Sequence, residues 1–204
     1  MNIGIIDYKM GNLASLKNSI LKIGEKANII HSPEELLSCD KLILPGVGAF
    51  GDAITHLKEE NFIEAINEYV ESGKDLLGVC LGMQLLFSSS TESEVTQGLD
   101  LIPGTVTRFD ETQAKHKIKI PHMGWNTMRT DKTSKLFQGL DDEIYLYFVH
   151  SFHGNCDKQY VIGETLYGYD FVSAVQKDNI YGFQPHPEKS HDKGLKILEN
   201  FINI

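Results

Sequence analysis

The chain predicts an α/β fold with a central sheet and helices on both of its faces. Three observations predict it. Up to about Phe87, short apolar runs alternate with segments of helical periodicity. Beyond residue 97 the pattern becomes strand-rich and hairpin-like. The last residues return to a helix with one apolar face.

In order along the chain, Ile3–Ile6, Ala27–Ile30, Lys41–Leu44 and Leu76–Val79 read as strands buried on both faces. Between them Leu13, Leu16, Ile20 and Ile23 fall at helical spacing, as do Phe62, Ile66, Tyr69 and Val70. This alternation is the signature of a parallel sheet covered by helices. A polar loop is expected over Ser88–Gln97, followed by strands at Val106–Phe109, Ile144–Val149, Tyr160–Thr165, Phe171–Gln176 and Ile180–Phe183. Lys177-Asp178-Asn179 suits a hairpin turn between the last two. A closing helix is expected over Lys193–Ile202, with Leu195, Leu198 and Phe201 on one face. No internal repeat or linker interrupts the pattern, so residues 1–204 read as one domain.

Composition excludes several function classes. The 204 residues carry 19 Lys+Arg against 28 Asp+Glu, a net charge of −9, and only two arginines, Arg108 and Arg129. Binding nucleic acid or an anionic membrane needs a basic face that such a chain lacks. No apolar run approaches the roughly 20 residues needed to span a bilayer. The N-terminus lacks the basic and apolar regions of a signal peptide. Three cysteines, Cys39, Cys80 and Cys156, are too few and too far apart for a disulfide framework, and a reduced cytoplasmic protein is the simplest expectation.

Four segments can carry chemistry. In Gly78-Val79-Cys80-Leu81-Gly82, a nucleophile flanked at −2 and +2 by glycine lies between a strand and a helix. The turn is too tight for side chains at 78 and 82, and a helix N-terminus at Cys80 favours the nucleophilic thiolate. The same pattern also suits a buried structural cysteine with glycines packing a helix on the sheet. In Gln184-Pro185-His186-Pro187-Glu188, an extended chain puts His186 and Glu188 on one face. The carboxylate can then hold one imidazole nitrogen and leave the other for the nucleophile, in the order Cys, His, Glu. The two prolines favour the extended form.

Pro45-Gly46-Val47-Gly48-Ala49-Phe50-Gly51 contains a GxGxxG, the dinucleotide fingerprint, so a dinucleotide-binding module is an alternative. The fingerprint belongs to the first βα turn and needs an acidic residue at a strand end about 20 positions on. Here the turn is a later one, and Glu64, Glu68 and Glu71 fall in a helical pattern. The other reading is a turn whose backbone N–H groups bind an oxyanion beside Cys80. Pro121-His122-Met123-Gly124-Trp125-Asn126 holds the only tryptophan, which suits either a protein interface or a core packed on glycine. Among the eight histidines, His150, His153, His186 and His191 have no metal-ligand spacing, so neither metal nor cofactor is expected. Cys39 and Cys156 read as inert thiols.

Together PGVGAF (45–50), GVCLGMQLL (78–86), PHMGWN (121–126), FVHSF (148–152) and HPEKS (186–190) resemble, in this order, a class I glutamine amidotransferase. Within that family the chain is similar to the glutaminase subunit of imidazole glycerol phosphate synthase, over essentially its whole length. The resemblance implies a flavodoxin-like three-layer fold with a mixed central sheet. It also implies hydrolysis of glutamine to glutamate and ammonia on a triad of Cys80, His186 and Glu188. Backbone N–H groups of Gly46, Val47 and Leu81 would form the oxyanion hole. Gly48, Gln84, Ser151 and Phe152 would hold the amino acid end of glutamine. Asn12, Met123, Trp125 and Lys189 would face a (β/α)₈-barrel synthase subunit in a heterodimer. The ammonia would be channelled to that subunit, which makes imidazole glycerol phosphate and AICAR in histidine biosynthesis. The acidic, arginine-poor chain fits a subunit that does not itself bind the phosphate-bearing acceptor.

Lys9, Ala14, Phe152, Pro185 and His191 stand where the family commonly has glycine, arginine, tyrosine, an aromatic and glutamine. None is in the triad. Some relatives instead supply ammonia to a sugar amidotransferase in surface-polysaccharide or nonulosonic-acid synthesis, and such a paralogue is the alternative. A cysteine hydrolase of esters or peptides would account for the elbow and triad but not for PHMGWN.

Overall fold

The computed structural model describes residues 1–204. In chain order the elements are β1 Ile3–Ile6, α1 Leu13–Lys22, β2 Ala27–Ile30, α2 Pro33–Leu37, β3 Lys41–Leu44, α3 Phe50–Glu59, α4 Phe62–Glu71, β4 Asp75–Val79 and α5 Leu81–Leu85. They continue with β5 Phe87–Ser90, β6 Thr96–Gln97, β7 Ile102–Arg108, β8 His122–Thr130, β9 Glu143–His150 and β10 Phe152–Cys156. The last are β11 Val161–Tyr167, β12 Tyr169–Lys177, β13 Ile180–Phe183 and α6 His191–Asn203.

The strands form one mixed sheet. β2, β1, β3, β4 and β13 lie side by side and parallel. β12 then folds back antiparallel on β13 through the turn at Asp178, whose φ is 52°. Beyond β12 the sheet divides. One limb runs through β10 to β7, β5 and β6, and the other through β11 to β8 and β9.

Alternation along the parallel strands divides the core. Ile3, Ile5, Ile43, Leu77 and Val79 point to the side covered by α1 and α6, where Leu16, Ile20, Ile197, Leu198 and Phe201 meet them. Ile6, Leu42, Leu44 and Leu76 point the other way, onto Leu36, Phe50, Leu57, Phe62, Ile66 and Met83 of α2 to α5. Strands flanked by helices on both faces bury every side chain, so their sequences read as continuous apolar runs. β1 and β3 are buried throughout, but β2 is not: Asn28 is exposed and Ile29 half-buried, because β2 is the edge of the sheet.

One further expectation differs, and two strands stand beyond those expected. The segment 88–97 is not simply a polar loop, since β5 and β6 form there around the turn at Thr91–Val95. PHMGWN opens a nine-residue strand, β8, whose alternating polar residues disguise it. Phe152–Cys156 is a strand although it holds Gly154, whose missing side chain makes room for the Phe87 ring. No helix is long and apolar enough to cross a membrane.

Register decides what meets at the carboxyl end of the parallel strands. Leu44 of β3 pairs with Gly78 of β4, so the turn after β3 lies beside the turn after β4. Phe183 of β13 pairs with Val79, so Gln184 and His186 emerge beside Cys80. Ligands in open parallel sheets bind at this end.

Candidate active site

Cys80 occupies a sharp turn between β4 and α5 with φ 55° and ψ −112°, in the left-handed half of backbone space. A non-glycine residue there costs on the order of 1–3 kcal/mol, which the surrounding structure must hold in place. Cys80 N donates to Phe183 O at 2.8 Å, and Cys80 O accepts from Gln84 N at 3.2 Å. The flanking glycines are sterically required. A Cβ on Gly78 would lie 2.6 Å from Gly82 O, and one on Gly82 would lie 1.8 Å from Leu44 O.

The turn after β3 packs directly on this elbow, since a Cβ on Gly46 would lie 2.8 Å from the Leu81 Cβ and 2.9 Å from Gly82 N. Leu81 is the first residue of α5, so its N–H has no acceptor within the helix. Gly48 has a φ of 105°, a conformation glycine adopts without strain.

His186 is buried, and its Nδ1 lies 2.8 Å from Glu188 Oε1. The expected geometry of this pair is corrected here. The chain is extended only to His186, and Pro187–Lys189 forms a 3-10 turn. Lys189 N donates to His186 O, Ser190 Oγ donates to the same carbonyl, and His186 N donates to Tyr147 O. These bonds fold the segment over so that it leads into α6, and the carboxylate reaches the imidazole from the turn. Nε2 makes no hydrogen bond of good geometry within the chain. Burial opposes protonation of His186. The negative charge available at Cys80, reinforced by the Glu188 carboxylate, outweighs it and raises the imidazole pKa to about 10.

Both groups open into a cleft of about 400 Å³, which is also lined by Val47, Gly48, Leu81, Gln84, Glu92, Ser151 and Phe152. A second, narrow pocket of about 10 Å³ is lined by Asn12, Gly46, Val47, His186 and Glu188. Lys189 Nζ sits 5.6 Å from the Tyr147 ring centre. Met123 and Trp125 are surface residues, and Trp125 stacks between Tyr145 at 5.5 Å and His191 at 5.0 Å. Of the two readings of PHMGWN, the core tryptophan is therefore excluded. Lys9, at φ 70°, adopts a glycine-like conformation and pairs with Glu60.

Three further groups stand in or beside the cleft. Glu92, in the turn between β5 and β6, lines the cleft and its Oε2 accepts from Phe50 N at 2.6 Å. His150 lies in the wall of the cleft and pairs with His122, not with a metal cluster, while His153 bonds Tyr169. Gln184 is wholly buried beside Cys80. Gln184, two residues before His186, and His150, within FVHSF, lie in motifs of the sequence, whereas Glu92 lies in none.

Comparison with known proteins bears on the family and the fold. The family model "Glutamine amidotransferase class-I" matches residues 4–204. The chain is 59% identical to imidazole glycerol phosphate synthase subunit HisH of Sulfurimonas denitrificans, over 98% of this chain and 96% of that one. It is 53% identical to the subunit of the same name from Wolinella succinogenes, over 99% of each chain. Among solved structures it resembles a glutamine amidotransferase (TM-score 0.76, 18% identity, covering 98% of this chain and 99% of that one). It also resembles PurLQS from Thermotoga maritima (TM-score 0.76, 16% identity, 99% and 97%), which speaks for the fold alone. With the elbow, the sheet order and a family match over nearly every residue in agreement, the chain belongs to the class I glutamine amidotransferases.

Proposed function

We propose that this chain is the glutaminase subunit of an imidazole glycerol phosphate synthase. It hydrolyses glutamine on Cys80, His186 and Glu188 and passes the ammonia to a barrel-shaped synthase subunit in histidine biosynthesis. The observation that carries the reading is the juxtaposition in one cleft of a strained cysteine elbow and a buried histidine oriented by Glu188. The relatives at 59% and 53% identity, both named as HisH subunits, supply the pathway. Nothing in the site favours the sugar-amidotransferase alternative over it.

In this mechanism Cys80 Sγ attacks the side-chain amide carbon of glutamine. The oxyanion that forms is held by N–H groups of Leu81 and of the Gly46-Val47 turn, preorganised donors each worth about 10²–10³ in rate. A protonated His186 gives its proton to the departing ammonia, leaving a γ-glutamyl thioester on Cys80. The now neutral imidazole takes a proton from water, which attacks the thioester and releases glutamate. Gln84, Gly48 and the Ser151-Phe152 backbone fit the amino acid end of the substrate. Glu92 adds a negative charge suited to its ammonium group. The narrow pocket between His186 and Asn12 is wide enough for a single water-sized molecule, which suits the start of an ammonia path. Asn12, Met123, Trp125 and Lys189 form the docking face for the partner. The 204 residues act as one domain in the cytoplasm.

Cys80→Ala is expected to abolish glutamine-dependent ammonia release by the complex while leaving circular dichroism unchanged. Undiminished release would remove the assignment. Co-purification of a barrel cyclase supports the histidine pathway, and co-purification of a sugar amidotransferase supports the alternative.

A further inference from the structure

A network of hydrogen bonds crosses the wall of the cleft, its two arms meeting at the Phe152 carbonyl, and one arm ends on Cys80. The direction of each link follows in turn, because a backbone carbonyl can only accept and a backbone N–H can only donate. Asn126 is oriented first: its Oδ1 accepts from Thr127 N at 2.8 Å, and its Nδ2 donates to Leu166 O at 3.0 Å. Asn126 Nδ2 also lies 3.2 Å from His122 Nε2, which therefore accepts. His122 Nδ1 lies 3.0 Å from His150 Nε2, and His150 Nδ1 lies 2.8 Å from Phe152 O. The Phe152 carbonyl places the proton of His150 on Nδ1. Burial holds both rings neutral, pushing His122 down to about 4 and His150 well below the usual range. His150 Nε2 then accepts, and His122 Nδ1 donates.

The same Phe152 carbonyl accepts from Gln84 Nε2 at 3.0 Å, which orients the Gln84 amide. Gln84 Nε2 also donates to Gln184 Oε1 at 3.0 Å. Gln184 is left with one orientation, in which its Nε2 faces Cys80 Sγ at 3.8 Å. The reverse orientation would set two NH₂ groups against each other in a fully buried site.

We propose that Gln184 is a positioning residue for the nucleophile: its amide, locked by Gln84, donates to the Cys80 sulphur and stabilises the thiolate before substrate arrives. The inference rests on the reading of Cys80 as the nucleophile. It explains why a wholly buried position next to an apolar strand holds an amide at all, since a hydrophobic residue there would leave Gln84 Nε2 with one acceptor fewer. It also leaves Gln84 Oε1, which accepts nothing from the chain, free to accept from substrate.

The test is the alkylation rate of Cys80 by iodoacetamide at neutral pH, read by mass spectrometry of its peptide, with Cys156 in the same sample as reference. In Gln184→Met, Cys80 is expected to react about tenfold more slowly, the loss of one hydrogen bond to an ionised group, with Cys156 unchanged. A merely structural glutamine predicts the opposite sign, because a loosened core exposes both thiols. Gln184→Glu keeps the shape but replaces the donor with an acceptor, and decides the matter if the methionine variant does not fold. A Cys80 rate in the folded variant equal to or above wild type would overturn the proposal. Alkylation needs no glutamine. A wild-type complex without glutaminase activity whose variant still shows the fall would therefore refute the proposed function and leave the hydrogen bond from Gln184 to Cys80 standing.

Discussion

Gly82 lies against Leu44 so closely that a Cβ at position 82 would stand 1.8 Å from the Leu44 carbonyl oxygen. Backbone cannot yield as a flexible side chain can, so the α5 turn sits at this depth only with glycine there. Gly82→Ala is expected to lower stability by at least about 3 kcal/mol, the upper end of overpacking costs, and to remove glutaminase activity in whatever folds. Gly51→Ala is the control. Its Cβ would meet nothing nearer than 3.9 Å within α3, and a small gain in thermal midpoint is expected from helix propensity. A Gly82→Ala protein with wild-type thermal midpoint would contradict the account of the elbow.

His122 is buried against Phe148, Tyr167 and Phe171, and its pKa is lowered from 6.5 to about 4 by desolvation. Above pH 6.5 neither the folded nor the unfolded chain protonates this ring, so it contributes nothing there. Below pH 6.5 the unfolded chain takes up a proton that the folded chain refuses, and stability falls until about pH 4. The loss amounts to roughly 3 kcal/mol from His122, with a further loss in the same direction from His150. Thermal midpoints measured across this window are expected to fall less steeply for His122→Gln than for wild type. Parallel curves would show that the buried pair is not the acid-sensitive element.

Trp125 lies within β8, on the surface between Tyr145 and His191. Its stacking stabilises the free chain by about 1 kcal/mol, whereas an aromatic anchor buried in an interface is worth about 2 kcal/mol or more. Trp125→Ala is therefore expected to leave the thermal midpoint nearly unchanged and to weaken binding of the synthase partner at least about thirtyfold, measured by calorimetry. Unaltered affinity would move the docking face elsewhere.

Legibility followed the type of interaction. β1, β3 and β13 are legible because burial on both faces leaves uninterrupted apolar runs, and Leu13, Leu16 and Ile20 mark α1 by their spacing. β8 is not, since one face meets solvent and its polar alternation resembles a loop. β5 and β6 are short pieces at the end of the sheet, β5 held by β7 and β6 by β5, and their own composition does not announce that pairing. At the site, Cys80, His186 and Glu188 stand in local motifs whose flanking Gly and Pro are needed by the backbone itself. Gln184 precedes Pro185 and His150 lies within FVHSF, but their roles, like that of Glu92, are set by partners from segments distant in the chain.

The sequence by itself determined the alternation of the core, the glycine elbow around Cys80, the proximity of His186 to Glu188 and the family. Each is a property of a few consecutive residues or of their order along the chain. The tertiary structure decided the rest. Pairing of Leu44 with Gly78, and of Phe183 with Val79, carries the Gly46 turn and His186 to either side of Cys80. The 3-10 turn at Pro187 brings the carboxylate round, and Phe152 O and Gln84 orient Gln184 toward the sulphur. Hydrogen-bond direction and strand register are properties of pairs, and the partners here lie up to 104 residues apart.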